Sequence, residues 1–370
     1  MELKTKRKIN LGLLVALVLP VILNGLFYLL RGERAVMDVW VFSILAPLAQ
    51  GMGRIWSIVP FSGMELLIAL FLIGNVLWLL RAVRTVLRER AGRDFLRRLL
   101  ALAAVWLWGW CGLNWLWNTT YYASTFTQRS GLETSPYSVW ELAAVTEYFA
   151  WETARLSVQV PRDGEGHFND DLKDCFKRGP EVYENLTREF PCLEMESVAA
   201  KPLICSRLQS ILGFTGMYFP FTGEANVNVD APACLVPSTI AHEMAHQRMV
   251  ASEQEANFVG IAACAACEDV TFRYSGYLMG LIHLSNALYS VAPELWYDMA
   301  EWYFTPELST DWEDNSSYWD ALESSVEEAA EEAYDSFLKG NDQVLGIRSY
   351  GACVDLLVSY FSNQITEIMV

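Results

Sequence analysis

The hydrophobic positions of this chain change character about a third of the way along. Residues 11–30 are almost wholly apolar and follow Lys4, Lys6, Arg7 and Lys8. A second apolar run extends from about Met64 to Leu80. A third runs from about Leu99 to Trp117 and carries Trp106, Trp108, Trp110, Trp115 and Trp117. A helix needs roughly 20 residues to cross about 30 Å of hydrocarbon, and Trp collects at the bilayer surface because its ring is apolar and its N–H polar. The first run is long and no small-x-small cleavage site follows it, so it reads as a retained anchor. Arg81, Arg84, Arg88, Arg90, Arg93, Arg97 and Arg98 separate the second run from the third. Short arginine-rich loops stay in the cytoplasm, as does the basic N-terminus. The expected topology is N-terminus inside, three crossings (11–30, 64–80, 99–117), and residues 118–370 outside. Residues 36–59 are apolar but interrupted by Pro47, Gln50, Gly51, Gly53 and Arg54. A crossing there would put the arginine loop outside, so the segment is expected to be an interfacial or re-entrant helix on the outer face.

Beyond residue 117 the pattern becomes amphipathic. Residues 118–135 read as a polar exit from the membrane, 138–158 and 180–190 as helices, and 161–174 as a polar loop in which His167 is solvated. Residues 215–219 and 225–229 flank Pro220 and Gly223 and predict two short strands about a turn. Pro237-Ser238-Thr239 opens a helix with Ser238 as its N-cap. The apolar run ending near Val291 holds His283 and is short for a crossing, which predicts a buried core helix. The acidic run 323–335 reads as a solvated helix face, and residues 348–362 as a closing helix. The expected fold is mainly α: a membrane anchor over residues 1–117, then an outer α+β domain over 118–370 with a small β-element before the helix opened at Pro237.

Charge sharpens this division. The net charge is −17. Residues 1–117 carry 14 Lys/Arg against 6 Asp/Glu, and residues 118–370 carry 13 against 38. So acidic a domain repels phosphate, which argues against nucleic acid as a partner; the expected partners are the lipid bilayer and an extracytoplasmic substrate. Cys264 and Cys267 form a CxxC inside the apolar run VGIAACAAC. With no second CxxC to complete a four-thiolate site, they read as core packing or a structural disulfide.

The chemistry is concentrated in HEMAHQRMVASEQEAN, residues 242–257. Side chains at i and i+4 share a helix face, so His242 and His246 can chelate one metal ion with Glu243 beside it as a base. On one continuous helix Glu253 would lie about 10 Å beyond His246, so the chain must turn between about Arg248 and Ser252. Both Glu253 and Glu255 are candidate third ligands. Ser252 and Glu255 fit an S-x-x-E capping box, which gives Glu255 a structural task and favours Glu253 for the metal. Asn257, one turn on, is placed to hold a ligand histidine. Two imidazoles, a carboxylate and an open position describe a catalytic site for one Zn2+. Candidates for stabilising a developing oxyanion are Tyr274, Tyr277, His283, Arg273 and Arg348, with Tyr274 and His283 preferred.

These residues resemble the gluzincin metallopeptidases, whose pattern is HExxH followed by ExxAD or ExxAN. The resemblance implies His242, His246 and Glu253 as zinc ligands, Glu243 as general base, Asn257 as a supporting residue and a zincin-like outer domain. The chain is also similar to a family of bacterial membrane proteins in which IVPFS (Ile58–Ser62), PFTGEANVN (Pro220–Asn228), HEMAHQR, EANF (Glu255–Phe258), YSGYL (Tyr274–Leu278) and SYG (Ser349–Gly351) recur. That family usually has Gly three residues after the second histidine; here it is Met249. In zincin folds the strand before the motif helix edges the substrate cleft. By that resemblance Ala225, Asn226 and Val227 pair with an extended peptide and Glu224 faces the cleft. The expected function is a membrane-anchored zinc metallopeptidase. The alternative is a non-catalytic zinc-binding sensor or scaffold that retains the fold.

Overall fold

The computed structural model describes residues 11–89, 92–343 and 353–369. The basic N-terminal cluster, Arg90, Arg348 and Ser349–Gly351 lie outside the described residues. Four helices are long and apolar enough to span a membrane: α1 (Leu11–Leu30), α2 (Arg34–Trp56), α3 (Gly63–Glu89) and α4 (Gly92–Leu116). α1 and α4 are tied by a chain of amides. Asn24 donates to the Pro20 carbonyl, Asn114 to Asn24 and Asn118 to Asn114, at 2.8, 2.7 and 2.8 Å. The Asn114–Asn24 bond is the one that joins the two helices, and away from water one such interhelical bond is worth about 1 kcal/mol. α3 and α4 form a hairpin in which Trp78 donates to the Arg98 carbonyl and Trp106 to Asn75. The expected arginine loop is largely helical. Arg81, Arg84 and Arg88 continue α3, and Arg93, Arg97 and Arg98 open α4. Arginine is a good helix former and its stem tolerates apolar surroundings, so the apolar run ends before the helix does.

α2 behaves differently from the other three. Met37, Val41, Leu45, Ala49 and Gly53 are buried, four residues apart, while Val39, Ile44, Leu48 and Ile55 are exposed. The stretch Val39–Leu45 winds as a π-helix, whose wider turn keeps positions four apart on one line. Both ends of α2 touch the part of the chain that follows α4. Asp38 accepts from the Ser124 amide and hydroxyl at 2.6 and 2.7 Å, and Arg54 pairs with Glu196. Residues 118–120, expected to be an exposed polar exit, are buried in this seam.

The remainder is helical around one core. α5 (Val139–Ser157), started by a Ser138/Glu141 capping box, packs along α8 (Val270–Val291). α6 (Val236–Gln247) and α7 (Glu253–Ala266) lie against α8, and α7 also packs on α11 (Cys353–Met369). α9 (Pro306–Asp320) and α10 (Ser325–Gly340) follow on the outside. All eight cysteines are free thiols, and Cys264 is fully buried in α7, so the CxxC is core packing.

The small sheet corrects two expectations. Its order is β1 (Lys201–Pro202), β3 (Glu224–Val227), β2 (Gly216–Phe219), with β1 parallel and β2 antiparallel to β3. β3 is therefore the central strand. Asn226 and Val227 are already paired on both sides, Ala225 is paired to β2, and all three are buried, so they do not form a free edge for a peptide. Among the described residues the edge strands are β1 and β2, and β2 is the longer of them. Nor does Glu224 face a cleft. It is 2% exposed, pairs with Lys201 at 2.6 Å, and accepts from the Gly63 and Met64 amides at the start of α3. It caps a helix end from outside the helix, where the orphan N–H groups favour a carboxylate. Ser238 is also no N-cap: α6 begins two residues earlier, and the Ser238 hydroxyl donates to the Leu235 carbonyl inside the helix.

Candidate metal centre

The site is built from the end of α6 inward. His242 and His246 share one face of α6, with ring centroids 4.8 Å apart. The helix then stops on two bonds: Met249 N–H to the His246 carbonyl at 3.0 Å and Val250 N–H to the Ala245 carbonyl at 3.2 Å. This is a Schellman closure, which needs a left-handed residue at the position of Met249. Met249 has φ +58°, a conformation costing a residue with a Cβ about 1–2 kcal/mol. Its side chain is buried among Met37, Val41, Leu45, Ala49 and Ala123, which offsets the strain. The closure also brings the Val250 carbonyl to 2.7 Å from His246 Nδ1. That bond fixes Nδ1 as the protonated nitrogen and turns Nε2 toward Glu253.

α7 returns past α6 so closely that a Cβ on Gly260 would stand 2.9 Å from the His242 amide nitrogen. Glu253, its first residue, places Oε2 at 3.2 Å from His242 Nε2 and 3.6 Å from His246 Nε2. Ligand atoms of the three residues all lie within 4.8 Å of one another. Metal bonds of about 2.0–2.1 Å in a tetrahedron set neighbouring ligand atoms about 3.4 Å apart, so the triad fits a zinc-sized ion. Lone pairs converge here and need a cation or a proton between them. The two imidazoles pull the Glu253 carboxyl well below its usual range despite burial, which alone would raise it. Burial lowers His246, but the Glu253 carboxylate outweighs it and brings the imidazole up to about 9.

Glu243 lies beside this triad. Burial pushes its carboxyl up to about 7, against the pull of His242 and His246. Its Oε2 is buried without a hydrogen-bond partner. β2 runs past it at Gly216, where a Cβ would meet Glu243 Oε1 at 2.5 Å; only glycine lets the strand come so near this carboxylate. Gln247 donates to the Gly223 carbonyl. Gly223 has φ +69°, and a Cβ there would sit 2.3 Å from the Ala49 carbonyl, so the β2–β3 turn rests directly on α2.

Glu255 is structural, but not through the expected capping box. Ser252 makes no capping bond. Glu255 instead accepts from the Phe126 and Thr127 amides and the Thr127 hydroxyl at 2.8–2.9 Å, capping the short helix Phe126–Ser130. Asn257 does not hold a histidine in this arrangement: its Nδ2 is buried without a partner, and Val250 does that work for His246. Tyr274 is fully buried, with its hydroxyl donated to Asp311. Tyr277 bonds to Tyr148, and Arg273 pairs with Glu152. Of the expected oxyanion donors, His283 stands near the site. Burial first, and then the charge of neighbouring His242, hold it down to about 4, so it is neutral at pH 7.

Two participants escape the sequence reading. Tyr334 on α10 donates its hydroxyl to Glu253 Oε1. It lies in the acidic run read as solvated; the signal was the stripe Tyr334, Phe337, Leu338 at i, i+3, i+4, which turns inward while the glutamates face out. Trp117, one residue past α4, sets its ring edge-on to His246 with centroids 5.6 Å apart. Searches among curated proteins and among solved structures find no match to this chain. One family model does match, over residues 42–358, a span that includes most of α2, all of α3 and α4, the sheet and every residue of the candidate metal centre. The chain therefore belongs to the family described as Protein of unknown function (DUF3810).

Proposed function

We propose that this protein is a membrane-anchored, zinc-dependent metallopeptidase that hydrolyses peptide or amide bonds outside the cytoplasm. The observation that carries the reading is Glu243, with a buried, unpartnered carboxylate oxygen, standing beside the converging donors of His242, His246 and Glu253. α1, α3 and α4 cross the bilayer with the arginine-rich α3–α4 end in the cytoplasm, and the zincin-like domain after α4 lies outside. α2 lies on the outer face, in keeping with both its ends touching that domain.

Zinc in this site supplies Lewis acidity, drawing the pKa of a water toward 7 and polarising a scissile carbonyl. Glu243 accepts the proton of the attacking water as its oxygen bonds to the carbonyl carbon. It then delivers that proton to the nitrogen as the C–N bond breaks. The neutral His283 imidazole is the donor for the developing oxyanion. The open edge of β2 holds the peptide extended by backbone pairing.

The test is the full-length protein with Glu243→Gln. Zinc content stays at one equivalent, while hydrolysis of a peptide library falls by about 10²–10⁴-fold. Undiminished turnover by that variant refutes the proposal. Zinc binding with no hydrolysis by the wild type assigns the protein instead as a zinc-binding sensor or scaffold.

A further inference from the structure

We infer that the substrate is the membrane-proximal segment of another membrane-anchored polypeptide, cut at the outer bilayer surface; the inference rests on the metallopeptidase reading above. The height of the site follows from span length. From Arg98 to Trp117, α4 rises about 28 Å, the thickness of the hydrocarbon core. Trp117 thus stands at the outer boundary, and its indole is in edge contact with the ligand His246. Counting back from Arg81 along α3 by about 27 Å reaches Gly63, whose amide holds Glu224 of the central strand. Ligand imidazole and sheet floor therefore share one plane with the bilayer surface, and no stalk separates them.

The open strand edge leads down to that plane. β2 begins at Gly216, beside Glu243. Past its other end, Phe221 closes on Gly112 of α4, where a Cβ would meet the ring at 2.6 Å. Gly112 is about 7 Å deeper than Trp117 along the helix. A peptide paired with β2 thus runs from the base to the membrane boundary. The rim around α3's first turn is apolar as well. Ile58, Ile204 and Leu208 are 84, 76 and 55% exposed, and the Ile204 and Cys205 amides are bound to Glu65. An apolar rim at this height is satisfied by lipid. A free peptide gains nothing from such a rim. A segment anchored in the same bilayer is delivered to β2 at an effective concentration in the millimolar range.

The experiment uses the full-length, zinc-loaded protein in vesicles of phosphatidylethanolamine and phosphatidylglycerol. A random decapeptide library is supplied in two forms at equal total concentration, one with a terminal diacyl anchor in the same vesicles and one free. Cleavage is read by mass spectrometry, with Glu243→Gln as the blank. The expected result is cleavage of the anchored library at least about tenfold faster, at bonds close to the anchor. Ile204→Asp combined with Leu208→Asp brings the anchored rate down toward the free rate and leaves the free rate in place. Equal rates for the two forms, or faster cleavage of the free form, overturn the inference and leave the metallopeptidase reading standing. Cleavage of neither form overturns both.

Discussion

The candidate metal centre and the seam between the apolar helices and the rest of the chain are both built on buried glutamates, and they treat them in opposite ways. In the seam, Glu224 and Glu255 have both oxygens occupied. Lys201 and the α3 amides take Glu224, and Phe126 and Thr127 take Glu255. In the centre, Glu243 keeps an oxygen with no partner, and Glu253 Oε2 faces two imidazole nitrogens. Buried polar groups are nearly always paired, and on the proposed reading the unpartnered Glu243 oxygen is where a ligand is taken. Saturation in the seam marks carboxylates whose work is structural.

The sharpest way to break that contrast is to remove one glutamate from each region. Glu253→Ala loses all bound zinc by metal analysis. Glu255→Ala keeps zinc and loses about 2–4 kcal/mol of stability in denaturant unfolding, because it strands two amides and a hydroxyl. Zinc loss confined to Glu255→Ala would reverse the assignment. Next in size is Tyr334→Phe, which removes the outer hydrogen bond on Glu253. It weakens zinc binding by about 10–100-fold in competition with a chelator, with the fold unchanged by circular dichroism. Met249→Gly probes the link between the regions. It relieves the positive φ but empties the pocket between the site's closing turn and α2. A net loss of about 1–3 kcal/mol is expected, since deleting a buried Met side chain outweighs the relieved strain. The smallest effect is at the exposed pair His167–Asp314, 2.7 Å apart. The hydrogen bond to Asp314, and then its charge, raise the His167 pKa. Its contribution is therefore complete below the unfolded histidine value of about 6.5 and disappears as pH rises through the raised folded value. The stability difference between wild type and His167→Ala should shrink over that window.

What the sequence makes legible follows the same division. His242, Glu243 and His246 are fixed by helix geometry over one turn, and the turn before Glu253 follows from reach alone. Those inferences need only neighbours. The partners of Glu255 and Glu224 lie 129 and 161 residues away, and no local pattern encodes them. A capping box is a reasonable local home for Glu255, and it loses to three donors from a distant helix end. The resemblance makes β3 the strand at the cleft edge, but a two-residue parallel neighbour, β1, pairs with its Asn226 and Val227. The run from 323 to 335 looks solvated because glutamate is its commonest residue. Tyr334 is visible only once the inward stripe beyond that run is counted with it.

The contact of Glu224 with α3 also bears on biosynthesis. Lys201 and Glu224 are enclosed by the Trp56 and Phe61 carbonyls and the Gly63 and Met64 amides, so the sheet's floor is contributed by residues made long before the sheet. The junction of α2 and α3 is thus a template on which the sheet is completed. A truncated chain starting at residue 118 would expose a buried ion pair and the Met249 plug together. Such a truncation is expected to yield aggregated material, and production of the folded protein to require its first 117 residues.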